Sequence, residues 1–427
     1  MNREMNHQEL EAKRKVLQRK RMNWSFRIAG ILLVIALVVL GTIDYRANAT
    51  AARQQEAKRA LKAKQFQAAK VLANTGFVNL DTVMKLAGYQ VGTTENPKQL
   101  KYLKSEHGVN EDIVFDQATG QAHKGPFNYE IKDKIKQENG AYYMQTDALA
   151  PIINKVITAN YGQPTVADIS HTTTSWRSQS VIAHAGGALR KDGKTLSYTN
   201  SYDAMVQSYN LGYRTIELDM CLTSDGKLAL VHDWQDAGYA KAPTAAEWMK
   251  DGVRNPQDGI HYQPMLLDDV FKLMEMNKDL YIITDSKSFE YTNAQIKEQF
   301  RDMVDAAKQY SPDVLDRVIP QIYNEQMYPV MTSVHKFPSV IYTLYRSKDL
   351  EWQVVDFVKA HPEINTVTVP KARLDKYLYS LVKNNVVVYT HTIDDINQLK
   401  ALHSNGVRGF YSNDITPQAY NSIFAGS

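Results

Sequence analysis

From Val181 onward, short apolar runs alternate with longer, more polar stretches. The runs are VIA (181–183), TIELDM (215–220), DLYIITDSK (279–287), RVIPQIY (317–323), SVIYTLYR (339–346), INTVTVP (364–370), VVVYTH (386–391) and RGFYSND (408–414). They are rich in β-branched and aromatic residues and read as strands. Stretches such as 293–310 and 374–385 read as the helices between them. Eight βα units in about 250 residues predict an α/β fold, a closed (β/α)8 TIM barrel over 181–427, rather than a doubly wound sheet. A turn at Ser224-Asp225-Gly226 breaks the alternation and returns a further run, KLALVHD (227–233). Residues 234–262 after it read as an irregular insertion.

The N-terminal part follows another pattern. An uncharged apolar run, Ile28 to Ile43, is flanked by Trp24, Phe26 and Tyr45 and preceded by basic residues. This predicts a basic cytoplasmic tail (1–25), a single membrane-spanning helix (26–45) and the remainder of the chain outside the cell. Ala47-Asn48-Ala49 resembles a small-residue cleavage site, so a cleaved signal peptide is the competing reading. Residues 46–75, rich in Ala, Lys and Gln, read as a helical stalk. Residues 76–165 read as a small α+β accessory domain with an internal echo. In each copy a short aromatic strand (76–81, 140–147) enters a helix at an Asp near its N-cap. The segment is similar to the small cell-envelope module first named from the N-terminus of copper amine oxidases, which implies a packing or wall-binding role. Residues 166–180 are polar and read as a linker, in which His171 has no evident partner and is expected to be exposed.

Composition refines this picture. With 44% hydrophobic residues the chain can bury a substantial core. Its net charge of +4 belongs to the tail: residues 1–27 carry eight Lys/Arg and three Glu, a net +5, which leaves the other 400 residues at −1. A folded domain without a basic stripe is not a nucleic-acid binder. The single cysteine, Cys221, excludes an internal disulfide framework and a multi-cysteine zinc site, and its place on a strand predicts burial.

The candidate chemistry lies at strand ends. Residues i and i+2 share a strand face, so Glu217 and Asp219 project together while Ile216, Leu218 and Met220 face the other way. Adjacent carboxylates repel unless a cation lies between them, and hard oxygen ligands suit Mg²⁺ or Ca²⁺. His184 precedes a Gly186-Gly187 turn after the first strand, and His232-Asp233 ends the return arm of the hairpin.

In these residues the chain resembles the glycerophosphodiester phosphodiesterase family, within the phospholipase C-like barrel superfamily. The resemblance runs through His184-Ala185-Gly186-Gly187, Thr199-Asn200-Ser201, Glu217-Leu218-Asp219, Asp225-Gly226 and His232-Asp233. It implies a phosphoric diester hydrolase acting on glycerophosphodiesters, lipid head groups or wall polyol-phosphates. It implies a divalent cation on Glu217, Asp219 and Asp285, with Lys287 contacting the phosphate. Asp285 stands where the usual diesterase has Glu, as in the spider-type sphingomyelinase D branch. His184 and His232 are the expected general base and acid, since imidazole titrates near neutral pH. The chain departs from the family at several points: Ala185 replaces an arginine, Thr199 a glutamate, and Tyr389-Thr390-His391-Thr392 and Ser412-Asn413 replace later motifs. The alternatives are a lyase that forms a cyclic phosphate, and a non-catalytic envelope-binding protein on a degenerate barrel.

Overall fold

Eight parallel strands close into a barrel in the computed structural model, which describes Arg14 and residues 76–424 except 139–140, 161–162 and 288–290. The strands are β1 (Val181–Ala183), β2 (Thr215–Leu222), β3 (Tyr281–Asp285), β4 (Val318–Ile322), β5 (Val340–Thr343), β6 (Ile364–Pro370), β7 (Val388–His391) and β8 (Gly409–Ser412). Each pairs with its successor, and β1 pairs with both β8 and β2, which closes the ring. A helix follows every strand: α1 (Tyr202–Asn210), α2 (Leu267–Met276), α3 (Asn293–Ala307), α4 (Met327–Thr332), α5 (Glu351–Ala360), α6 (Leu374–Lys383), α7 (Ile396–Ser404) and α8 (Pro417–Phe424). Local chemistry starts several of them. Ser201 caps α1, Asp395 caps α7, and Thr292 with Gln295 forms a capping box on α3.

Two-residue periodicity sorts the barrel side chains. Ile182, Tyr281, Ile283, Ile319, Ile341, Tyr389 and Tyr411 pack on one another as an interior cluster. Residues two positions further along these strands therefore face the same lumen, one layer nearer the C-terminal mouth. That layer holds His184, Asp285, Gln321 and His391, with Tyr323 one further step along β4.

The base of the barrel is closed by a residue from the expected linker. Trp176 is 2% exposed; its Nε1 donates to Ser339 Oγ at 2.8 Å, and its carbonyl accepts from Thr215 Oγ1 at 2.8 Å. Residues 166–168 belong to a hairpin, Lys155–Asn160 with Gln163–Asp168. His171 is not exposed as expected: its Nδ1 lies 2.6 Å from Tyr281 OH, and burial lowers its pKa to about 3. Arg177 and Gln179 of the segment also hydrogen-bond to the barrel, at the carbonyls of Asn365 and Gly212, while Thr172, Thr173 and Thr174 remain exposed.

The insertion after His232 is more ordered than its sequence pattern suggested. It contains a helix, Ala245–Asp251, started by a Thr244–Glu247 capping box. The turn at 224–226 is a hairpin as expected, with Met220 opposite Leu230 and Gly226 at φ +78°.

The accessory region contains a three-stranded sheet, a five-stranded sheet and helices Leu80–Leu86 and Thr146–Ile153. The echoed segments pair with each other: Phe77–Asn79 runs antiparallel to Ala141–Gln145. This region shares one hydrophobic cluster with the outer barrel. Phe127 packs edge-on to Tyr209 with ring centroids 4.6 Å apart, and Tyr129 OH donates to Asn277 Oδ1 at 2.8 Å. Accessory region and barrel lie within one compact unit, Phe66–Ser427. Among the described residues no helix is long and apolar enough to cross a membrane, and the expected span over 26–45 lies outside them.

The shared core makes a thermodynamic prediction. Tyr129→Ala removes a buried ring and strands the Asn277 carbonyl, a loss of about 3–5 kcal/mol. Urea unfolding followed at the barrel tryptophans should shift with the accessory region in one transition. A barrel transition that stays in place would show that the two pack independently.

Candidate active site

The site is built from the C-terminal ends of β1, β2 and β3. Parallel register sets Asp219 on β2 beside Asp285 on β3, with Glu217 one inward position below Asp219. The three carboxylates offer oxygens that all lie within 4.8 Å of one another, a group that could hold a metal ion. Glu217 and Asp219 are 2% and 3% exposed, so water does little to separate their charges.

The chain compensates this charge in three ways. Lys287 reaches into the cluster, with Nζ 2.7 Å from Asp219 Oδ1 and 3.0 Å from Asp285 Oδ2. Hydrogen bonds support each acid. The Ala185 N–H donates to Glu217 Oε2 at 2.8 Å, Asn200 Nδ2 donates to Asp219 Oδ2 at 2.9 Å, and Tyr323 OH donates to Asp285 Oδ1. Protonation supplies the remainder. Burial first, then the charges of Asp219 and Asp285, push the Glu217 pKa well above the ordinary carboxylate range. Burial also raises Asp285. At Asp219 burial acts in the same direction, but Lys287, His232 and Asn200 outweigh it and hold the pKa below the ordinary value. Three acids face one ammonium, and the donors are all hard oxygens. This donor set fits Mg²⁺ or Ca²⁺.

The histidines stand on either side of a tyrosine. His184 is buried, its Nε2 lies 3.9 Å from Glu217 Oε2, and its Nδ1 lies 3.2 Å from Thr392 Oγ1. Burial lowers its pKa, so the ring is neutral near pH 7. His232 is half-buried, with Nδ1 3.2 Å from Asp233 Oδ2 and 3.7 Å from Asp236 Oδ2. The ring of Tyr198 meets His184 edge-on at 4.7 Å and His232 at 5.8 Å. His232, Asp233 and Asp236 form a second, more open group of potential ligand atoms.

A cavity of about 570 Å³ opens beside the cluster. Lys287, His232, Tyr291, Tyr345, Lys241 and Arg346 contribute to its wall. Cys221 also lines it from a buried position, where burial raises the thiol to about 12, so it is an inert wall residue.

All six residues singled out in the sequence, His184, Glu217, Asp219, His232, Asp285 and Lys287, come to this end of the barrel. The ammonium of Lys287, expected at the phosphate, also contacts two of the carboxylates. Sequence reasoning missed Tyr198, Tyr323 and Thr392. Tyr323 had a signal, the two-residue step from Ile319 through Gln321. Tyr198 had none, since its place depends on a left-handed backbone (φ +60°) that a tyrosine seldom adopts. His391 also reaches the lumen; its Nε2 is buried without a hydrogen-bond partner among the described residues, and burial lowers its pKa to about 3.

The model of the glycerophosphoryl diester phosphodiesterase family matches residues 190–416, more than half of the chain. No curated protein sequence matches it. Similar solved structures include a glycerophosphodiester phosphodiesterase from Parabacteroides distasonis (16% identity, 58% of this chain and 97% of that one, TM-score 0.45). Another is a phosphodiesterase from Oleispira antarctica in complex with the product sn-glycerol-3-phosphate (14%, 60% and 100%, TM-score 0.44). A third is a glycerophosphodiester phosphodiesterase from Thermotoga maritima (17%, 57% and 98%, TM-score 0.41). By the extent of the family match, this chain belongs to the glycerophosphoryl diester phosphodiesterase family and is a phosphoric diester hydrolase.

Proposed function

We propose that the chain hydrolyses glycerophosphodiesters, that it does so outside the cell, and that it works with a divalent cation held by Glu217, Asp219 and Asp285. The observation that carries this reading is the convergence of two imidazoles on three buried acids at one barrel mouth. When bound, the cation would neutralise phosphate charge and orient the diester. The remaining work falls to the chain. Thr392 engages His184 Nδ1, which leaves Nε2 to take the proton of the entering water. Its buried, neutral state suits a base. Asp233 engages His232 Nδ1, which leaves Nε2 to protonate the leaving alkoxide. His232 also lines the cavity, where a leaving alcohol of some size has room. Lys287 balances Asp219 and Asp285 and would share its charge with the phosphate. An N-terminal membrane anchor over 26–45 would keep this reaction at the cell surface, on the charge asymmetry of the sequence.

Three predictions test this reading. The first concerns the cation. Because Glu217 and Asp285 have raised folded-state pKa values, the stability they contribute is complete below the unfolded carboxylate pKa and is lost as pH rises through the folded value, while Asp219 opposes the trend. In EDTA, Tm should therefore fall as pH rises above the ordinary carboxylate range. Mg²⁺ or Ca²⁺ should recover more of it at the higher pH, where no proton competes. Glu217→Gln should lose both this recovery and turnover; equal metal recovery in wild type and variant would reject the ligand set.

The second concerns the histidines. His184→Ala and His232→Ala should each reduce turnover by roughly 10²–10⁴-fold, with losses that do not add. A p-nitrophenyl ester, whose leaving group needs no acid, should rescue His232→Ala and leave His184→Ala impaired. The acidic limb of kcat/KM should lie below the ordinary imidazole value of 6.5. Equal rescue of the two variants would refute the division of roles.

The third concerns topology. Protease added to intact cells should digest the barrel and spare the tail, and a protected barrel would overturn the extracellular assignment.

A further inference from the structure

The segment from the end of β5 into the first turn of α5 buries a serine and exposes two large apolar side chains. Ser347 is 5% exposed, whereas Leu350 is 47% and Trp352 59% exposed. Arg346 and Lys348, on either side of Ser347, are also exposed. A mobile loop can expose apolar side chains incidentally, and single exposed apolar residues are ordinary. This loop is held. Asp349 accepts from Ser347 Oγ at 2.9 Å and from Tyr342 OH, and its carbonyl accepts from Tyr377 OH at 2.7 Å. Arg373 clamps the loop from α6, donating to the carbonyls of Leu344 and of Ser347, the latter at 2.8 Å. The fold thus fixes a leucine and a tryptophan in water, with cations beside them.

Position and charge indicate what would cover them. The loop follows a barrel strand, so it lies on the mouth face. Its own Tyr345 and Arg346 line the cavity next to Lys287 and His232. Lys371, exposed at the end of β6, adds a cation on the same face. Within residues 345–352 the acids are Glu351 and Asp349, and Asp349 is committed to the internal hydrogen bonds. Tryptophan and leucine interleaved with Arg and Lys match the zone where acyl chains meet anionic head groups.

We propose that this loop is a membrane-contacting lip: Leu350 and Trp352 enter the interface of an anionic bilayer while Arg346, Lys348 and Lys371 meet its phosphates, so that the cavity opens over a diester borne on that surface. The inference rests on the proposed function only for the nature of that diester.

The test uses the full chain with phosphatidylglycerol vesicles whose acyl chains are brominated. The Trp352 signal is the emission of the wild type minus that of Trp352→Phe. It should be strongly quenched by these vesicles, and less by phosphatidylcholine vesicles of the same bromine content. Leu350→Ser combined with Trp352→Ser should lower kcat/KM toward lysophosphatidylglycerol in the vesicles by about tenfold or more and leave a soluble glycerophosphodiester within about twofold. Failure of the wild type on the soluble diester would reject the proposed function while the quenching still decides the lip. An unquenched Trp352 would overturn the lip, as would a Trp352 occluded by self-association without lipid.

Discussion

Mutual repulsion among Glu217, Asp219 and Asp285 is the constraint on which the mouth of the barrel depends. Three clustered acids, two of them at nearly zero exposure, would destabilise any fold that left them uncompensated. The surrounding residues are explained by that requirement. Lys287 adopts a left-handed backbone (φ +50°) and brings its ammonium to two of the acids. Asn200, also left-handed at φ +47°, contacts Asp219 through side chain and backbone, its Oδ1 accepting the Asp219 N–H at 2.9 Å. The turn after β1 aims the Ala185 N–H at Glu217. Lys287 and Ala185 (φ +48°), two of these left-handed positions, lie just past the ends of β3 and β1.

The same requirement explains why the site was largely legible in the sequence. Alternation along a strand is a rigid rule, so the spacing of Glu217 and Asp219 on β2 and the place of Asp285 on β3 put three side chains in the lumen, whereas Lys287 lies past the end of β3 and reaches them through its left-handed backbone. The eight strands were legible for a related reason, since β-branched runs separated by helical stretches admit few topologies. What escaped were contacts between segments far apart in the chain. Trp176 and His171 lie in a polar stretch with no periodicity, and only the barrel base gives them partners. The docking of Tyr129 on Tyr209 and Asn277 depends on surfaces formed by separate elements. Tyr198 needed a backbone conformation that sequence does not announce. A non-catalytic barrel was a reasonable alternative while the departures at Ala185 and Thr199 stood alone; the family match and the intact histidine and carboxylate set decide for the enzyme.

The site also places like residues in different surroundings. His184, closed in by Tyr198, Tyr411 and Thr392, sits in a dry wall, while His232 stands at the rim with its own carboxylates. Burial keeps the His184 ring neutral, and His391, in the same layer, is kept neutral by the same effect.

Trp176 has a consequence for traffic. Its indole, fixed to Ser339 and stacked edge-on with Tyr389 at 5.4 Å, plugs the end of the barrel opposite the carboxylates. The catalytic centre is therefore the floor of a blind well. A polymer cannot thread through it; it can offer only a terminus or a sharply bent segment. Both products must also leave by the opening through which the diester came, so the slower of them to depart holds the door against the next substrate.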